Sequence, residues 1–136
     1  MKKTVLFIGG MVALVLLLIF AWKFAQTNSN SHKKTSVEAK IEALNWQKNG
    51  KNGEYITKKD EGMITTKMEG IVQTDTDCSP DSKGISRCHN KIKISNKKEI
   101  SVINIHNMKN YSCFKPGQKV TVEPINQKWI KVIKVN

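Results

Sequence analysis

Cys78, Cys88 and Cys113 fall within one 36-residue window of this chain. Asp75, Asp77, Asp81, His89, His106 and Met108 stand near them in sequence. These residue types support three kinds of chemistry. The first is a disulfide: outside the cytoplasm two of the three cysteines pair and one is left over. A Cys78–Cys88 bond closes the loop between them, and a Cys88–Cys113 bond ties two separate parts of the chain. The second is a metal site. Thiolate, imidazole and thioether suit Cu(I), and thiolate with imidazole suits Zn. Its ligands are Cys88, His106, Met108 and Cys113, with Cys78 able to replace Cys88. The spacing matches neither a zinc finger, which needs a C-x2-4-C pair, nor blue copper, because no His or Met follows Cys113. The third is a thiol nucleophile, Cys88 or Cys113 beside His106, with Arg87 lowering the pKa of Cys88.

No C-x-x-C, phosphate loop, H-E-x-x-H or pair of glycosidase carboxylates is present. The sequence therefore names no catalytic residue and predicts a binding or assembly module with a structural disulfide. No resident cofactor is expected, copper or zinc being the alternative. The 75–90 loop and the 106–114 segment are expected to meet at one rim, and the site is placed in the loop 77–90 and the segment 106–114, with Asp81, His89, Tyr111 and Phe114 as its binding residues. His106 follows Asn104 at the polar end of a strand face and reads as a hydrogen-bonded rim histidine. Met108 reads as packing. Cys88 and His89 are strand neighbours and point to opposite faces.

The elements that position these residues are mainly β. Thr35 and Glu38 form a capping box, and Val37, Ile41 and Leu44 recur at helical spacing, so a short helix is predicted over 36–48. The NGKNG stretch at 49–53 is a turn. Short strands are predicted at 55–57, 63–66, 68–74 (with Gly70 as a bulge or bend), 91–95, 99–106, 119–122 and 128–135. Within 99–106, Ser101, Ile103 and Ile105 share one face, and Ile100, Val102, Asn104 and His106 share the other. Such a series of short strands predicts a small closed or partly closed barrel over 35–136.

The stretch FKPGQKVTVEPINQKWIKVIKV resembles the last two strands of OB-fold-like barrels, where a Pro-Gly turn leads into V-x-V and a strand of branched residues. The resemblance implies a small OB-like β-barrel preceded by one short helix. An anchor followed by such a barrel is similar in layout to the membrane-anchored haem chaperones of cytochrome c maturation. Those bind haem through a His in a C-terminal motif, and no His follows His106 here. Haem binding is therefore not implied. Sortase-type transpeptidases are also membrane-anchored β-barrels, but their Thr-Leu-x-Thr-Cys stretch is missing.

Thr4 to Trp22 is a run of nineteen residues without a charge, flanked by Lys2, Lys3 and Lys23. As a helix it spans roughly 28 Å, about the hydrocarbon thickness of a bilayer. No A-x-A cleavage pattern follows it. An uncleaved single-pass anchor is expected over 1–23, then a polar linker over 24–34. The short N-terminal tail and the downstream cysteines place the domain outside the cytoplasm. The chain carries a formal charge of +12 with Arg87 as its one arginine. A field of lysines favours diffuse attraction to anionic lipid or a cell-wall polymer over sequence-specific nucleic-acid readout. Another membrane protein is the remaining candidate partner.

Overall fold

The computed structural model describes residues 36–95 and 97–135. The expected anchor, linker and Thr35 cap lie outside the described residues. Among those described, no helix is long and apolar enough to cross a membrane. Ala39–Asn136 forms one compact unit.

Helix α1 (Ser36–Glu42) stops six residues before the end that its periodicity predicts, and Ile41 is its buried residue. Asn45 then accepts a hydrogen bond from the Gln47 amide at 3.1 Å and opens a 3-10 turn over Trp46–Lys48. A short polar side chain competing for backbone amides ends helices in this way. The Trp46 ring stacks on Trp129, centroids 5.9 Å apart, a tertiary contact outside the helical pattern. Asn49 then stands in for a strand residue. Its Nδ2 donates to the Ile56 and Ile105 carbonyls at 2.9 and 2.7 Å, and its Oδ1 accepts from the Ile56 amide at 2.8 Å.

Six strands follow: β1 (Glu54–Glu61), β2 (Met68–Thr76), β3 (Ser86–Ser95), β4 (Lys98–His106), β5 (Lys119–Pro124) and β6 (Trp129–Lys134). They close into an antiparallel barrel in the order β1-β4-β3-β2-β5-β6, with β6 pairing back onto β1. The meander β2-β3-β4 carries β1 beside β4, and the β5-β6 hairpin fills the gap between β2 and β1. Closure leaves no free sheet edge among the described strands. Two predicted elements differ. Residues 63–66 form no strand; Ile64 instead packs into the core from the β1–β2 connection. Strand β3 begins at Ser86, inside the stretch expected to be a loop, because Ser86 through Lys93 find partners along β4.

Branched and aromatic residues fill most of the interior: Tyr55, Val72, Ile92, Ile100, Val102, Phe114, Val120, Val122, Ile130 and Val132. Alternation along β3 and β4 turns one residue in two inward, and their composition changes along the barrel axis. Facing pairs run from Ile92–Ile100 through Asn90–Val102 and Cys88–Asn104 to Ser86–His106. All eight are buried. One end of the barrel is therefore packed with hydrocarbon and the other with sulfur, amide and imidazole.

Candidate functional site

The polar end gathers all three cysteines. Cys88 points inward from β3 and is fully buried. Cys78 lies on the β2–β3 connection and is bonded to it. Such a bond across ten residues contributes roughly 2–3 kcal/mol by loop closure. Cys113 keeps a free thiol, its Sγ 3.8 Å from that of Cys88. Only Cys113 has a proton to donate in that contact, since both other sulfurs are in the disulfide. One ligand atom from each of Asp75, Cys78, Cys88 and Cys113 lies within 4.8 Å of the other three. Asp75 Oδ1 is 3.3 Å from Cys78 Sγ and accepts a hydrogen bond from Asn90 Nδ2 at 2.8 Å.

Asp75 owes its inward position to a bulge. Val72 pairs with Ile92 and Thr74 with Lys91, so Gln73 is the extra residue in β2. After it the alternation is reversed, and Asp75 comes opposite the buried Asn90. Bulges re-aim side chains in this manner. Gly70, the expected bend, serves a different purpose. A Cβ there would sit 2.7 Å from Ile92 Cγ2, so glycine is needed for close approach.

Cys113 is held in place by distant residues. Tyr55 OH donates to the Ser112 carbonyl at 2.6 Å. Lys134 Nζ donates to the Ser112 carbonyl, the Ser112 hydroxyl and the Cys113 carbonyl at 2.7, 2.8 and 3.0 Å. Burial pushes the Tyr55 hydroxyl up to about 12 and keeps it a donor. Burial, reinforced by the Asp75 charge, also raises the Cys113 thiol. Cys113 therefore rests protonated at neutral pH, unlike the low-pKa thiol of a preactivated nucleophile.

His106 is fully buried, with its ring edge-on to Tyr55 at 5.5 Å. Among the described residues, neither of its nitrogens has a hydrogen-bond partner, and neither do Ser86 Oγ, Asn90 Oδ1, or the amide N and O of Asn104. It is an interior residue where a rim histidine was expected. Burial lowers its pKa, the nearby Asn104 backbone opposes this, the Lys134 charge lowers it further, and the Asp75 charge raises it. A depressed folded-state pKa means that the unfolded chain takes up the proton first as pH falls. The His106 contribution should thus be complete above the ordinary histidine pKa of about 6.5. Below that it should decline by up to about 1.4 kcal/mol per pH unit until the folded-state pKa is reached. Urea midpoints measured from pH 7.5 to 5 check this, and His106→Gln should flatten the profile.

The other predicted site residues scatter. Asp81 organises its own loop, accepting from the Lys83 and Ile85 amides at 2.9 and 3.0 Å and pairing with Arg87 at 3.0 Å. The Ile85 amide, then Arg87, hold its carboxyl below the usual range. Arg87 consequently faces outward, and Cys88, whose thiol it was expected to activate, is held in the disulfide. His89 lies on the outer face, 3.4 Å from Asp77, as strand alternation requires. Tyr111 and Met108 are half-buried. Phe114, expected at the rim, is wholly buried against Tyr55. Tyr55 and Lys134 had no local signal, because their partners lie 57 and 22 residues away. No protein-family model, curated protein or solved structure matches this chain.

Proposed function

We propose that this chain is a membrane-anchored, extracytoplasmic metal-handling domain whose ligands are Asp75, Cys78, Cys88 and Cys113. Three sulfurs and one carboxylate oxygen converge within 4.8 Å, and that convergence carries the reading. A tetrahedral ion bound at 2.3 Å by thiolates sets sulfurs about 3.8 Å apart. Cys88 and Cys113 already have that spacing. Cys78 lies on a connection and can withdraw from Cys88 once their bond is reduced. Reduction needs two electrons from an external dithiol, which attacks Cys78 because Cys88 is buried. The disulfide form is then the closed state of the site. Asp75 favours Zn over Cu(I), because its oxygen is a hard ligand and Cu(I) is satisfied by three thiolates. His106 and Met108, candidate ligands by residue type, are not needed for this set.

The full chain, solubilised in detergent and reduced with a phosphine, is expected to bind one Zn in competition with a chromophoric chelator. Cys113→Ser should weaken Zn binding by at least about tenfold, in line with the effect of altering a metal's ligand environment. Asp75→Asn should weaken Zn but leave Cu(I) unchanged, and His89→Ala should change neither. Substoichiometric Zn, or equal affinity in Cys113→Ser, rejects the reading.

The bonded Cys78–Cys88 pair favours a second reading, a binding or assembly module stiffened by a structural disulfide. The closed barrel is compatible with an OB-like domain of that kind. Its partners would be anionic lipid, a cell-wall polymer or another membrane protein.

A further inference from the structure

The two ends of the disulfide differ in exposure. Its Cys78 end is partly exposed on a connection, while its Cys88 end is fully buried inside the barrel. No thiol from solution reaches Cys88. Cys113 does, at 3.8 Å, from a segment fixed by Tyr55 and Lys134. The surroundings of Cys88 are also polar. Asn104 lies directly across the β3–β4 ladder on the same interior face, is fully buried, and has no protein partner for its amide donor or acceptor. A buried amide without a partner is costly.

We propose that the domain is a thiol–disulfide exchange site, in which Cys113 and Cys78 trade places as the free thiol through Cys88. Cys113 Sγ lies beside the Cys78–Cys88 bond, so the 77–85 connection must first carry Cys78 round to the side of Cys88 opposite Cys113. The Cys113 thiolate then attacks Cys88 Sγ in line with that bond. The Cys88–Cys113 bond forms as the Cys78–Cys88 bond breaks, and Cys78 departs with the electron pair. No oxidant or reductant is consumed. The proton lost by Cys113 passes to the Asp75 carboxylate, which lies within 4.8 Å of both terminal sulfurs, and from there to Cys78. Before exchange the 77–85 connection is bonded to β3. Afterwards it is released and carries the thiol, while Cys88 is tied to the segment after β4. The released Cys78 is the thiol that a disulfide from solution or from a partner protein meets.

The exchange is independent of metal binding, because it takes place in oxidised protein and in the presence of chelator. The full chain in detergent, purified without reductant, is held at pH 8.5 and sampled over a day into excess N-ethylmaleimide. It is then digested with trypsin without reduction. Lys83 and Arg87 lie between Cys78 and Cys88, so all three cysteines fall on separate peptides. Two populations are expected: Cys113 alkylated with Cys78–Cys88 linked, and Cys78 alkylated with Cys88–Cys113 linked, the second reaching at least a tenth of the total. Alkylation confined to Cys113 throughout the day overturns the proposal. Cys78→Ser is expected to oxidise fully to Cys88–Cys113, with no thiol left to alkylate. Two alkylatable thiols in that oxidised variant overturn it as well. Asp75→Asn should slow the approach to the final ratio by about tenfold, and an unchanged rate removes Asp75 from the step.

Discussion

Replacing Phe114 with alanine is expected to lower the unfolding free energy by about 3–5 kcal/mol, the usual cost of removing a buried aromatic ring. The ring is wholly buried, lies 4.8 Å from Tyr55 at an interplanar angle of 67°, and has the Lys134 ammonium 5.7 Å from its centroid. Deleting it leaves a cavity at the junction between the hydrocarbon core and the polar end. Tyr55 and Lys134 lose the surface they rest on, and both hold the backbone at Ser112 and Cys113. The loss should therefore appear twice: as a lower urea midpoint, and as faster alkylation of Cys113 under native conditions. Phe114→Leu, which keeps most of the volume, should cost about 1.5 kcal/mol or less. A loss below about 1 kcal/mol in Phe114→Ala would contradict the core position, since buried aromatic truncations cost several times that.

Gly50→Ala is expected to be comparably severe, at roughly 3–5 kcal/mol from two separate causes. Gly50 has φ of +115°, a conformation that L side chains rarely adopt. Its would-be Cβ also lies 2.6 Å from both Tyr111 Cβ and Tyr55 Cε1. Tyr111 Cβ is fixed to its backbone and Tyr55 is wedged between His106 and Phe114, so neither yields cheaply. Gly117→Ala separates the causes. Gly117 has φ of +84° and nothing within 4 Å of an added Cβ, so it should cost only the strain, about 1 kcal/mol. Urea unfolding of both variants beside the parent tests this, and similar losses at the two positions would refute the steric part.

The β character of the domain was legible in the sequence because alternation is local. Ile100, Val102, Asn104 and His106 share the inward face of β4, as period-two spacing requires. The opposite orientations of Cys88 and His89 follow from the same rule. The meeting of the 75–90 and 106–114 regions was also anticipated, and Cys78 and Cys113 realise it. Phe114 was misplaced because its neighbours Ser112, Lys115 and Pro116 are polar or turn-forming. Composition in a short segment does not say which side chain turns inward. The helix was overextended because its apolar stripe continues through Leu44 and Trp46, whereas Trp46 is claimed by Trp129, 83 positions away in the numbering.

A small, mainly β domain with three cysteines in one 36-residue window can be read from the residues alone, whereas the meeting of those cysteines is only an expectation at that level. Spacing left open which two would bond and what would join them. The fold settles that Cys78 bonds Cys88, that Cys113 lies beside Cys88, and that Asp75 completes the set. The Asp75 case has a definite physical reason. Strict alternation from the inward Val72 sends residue 75 outward, and one extra residue at Gln73 reverses that parity. The bulge is fixed by the register between β2 and β3, a property of two paired strands that neither strand carries alone.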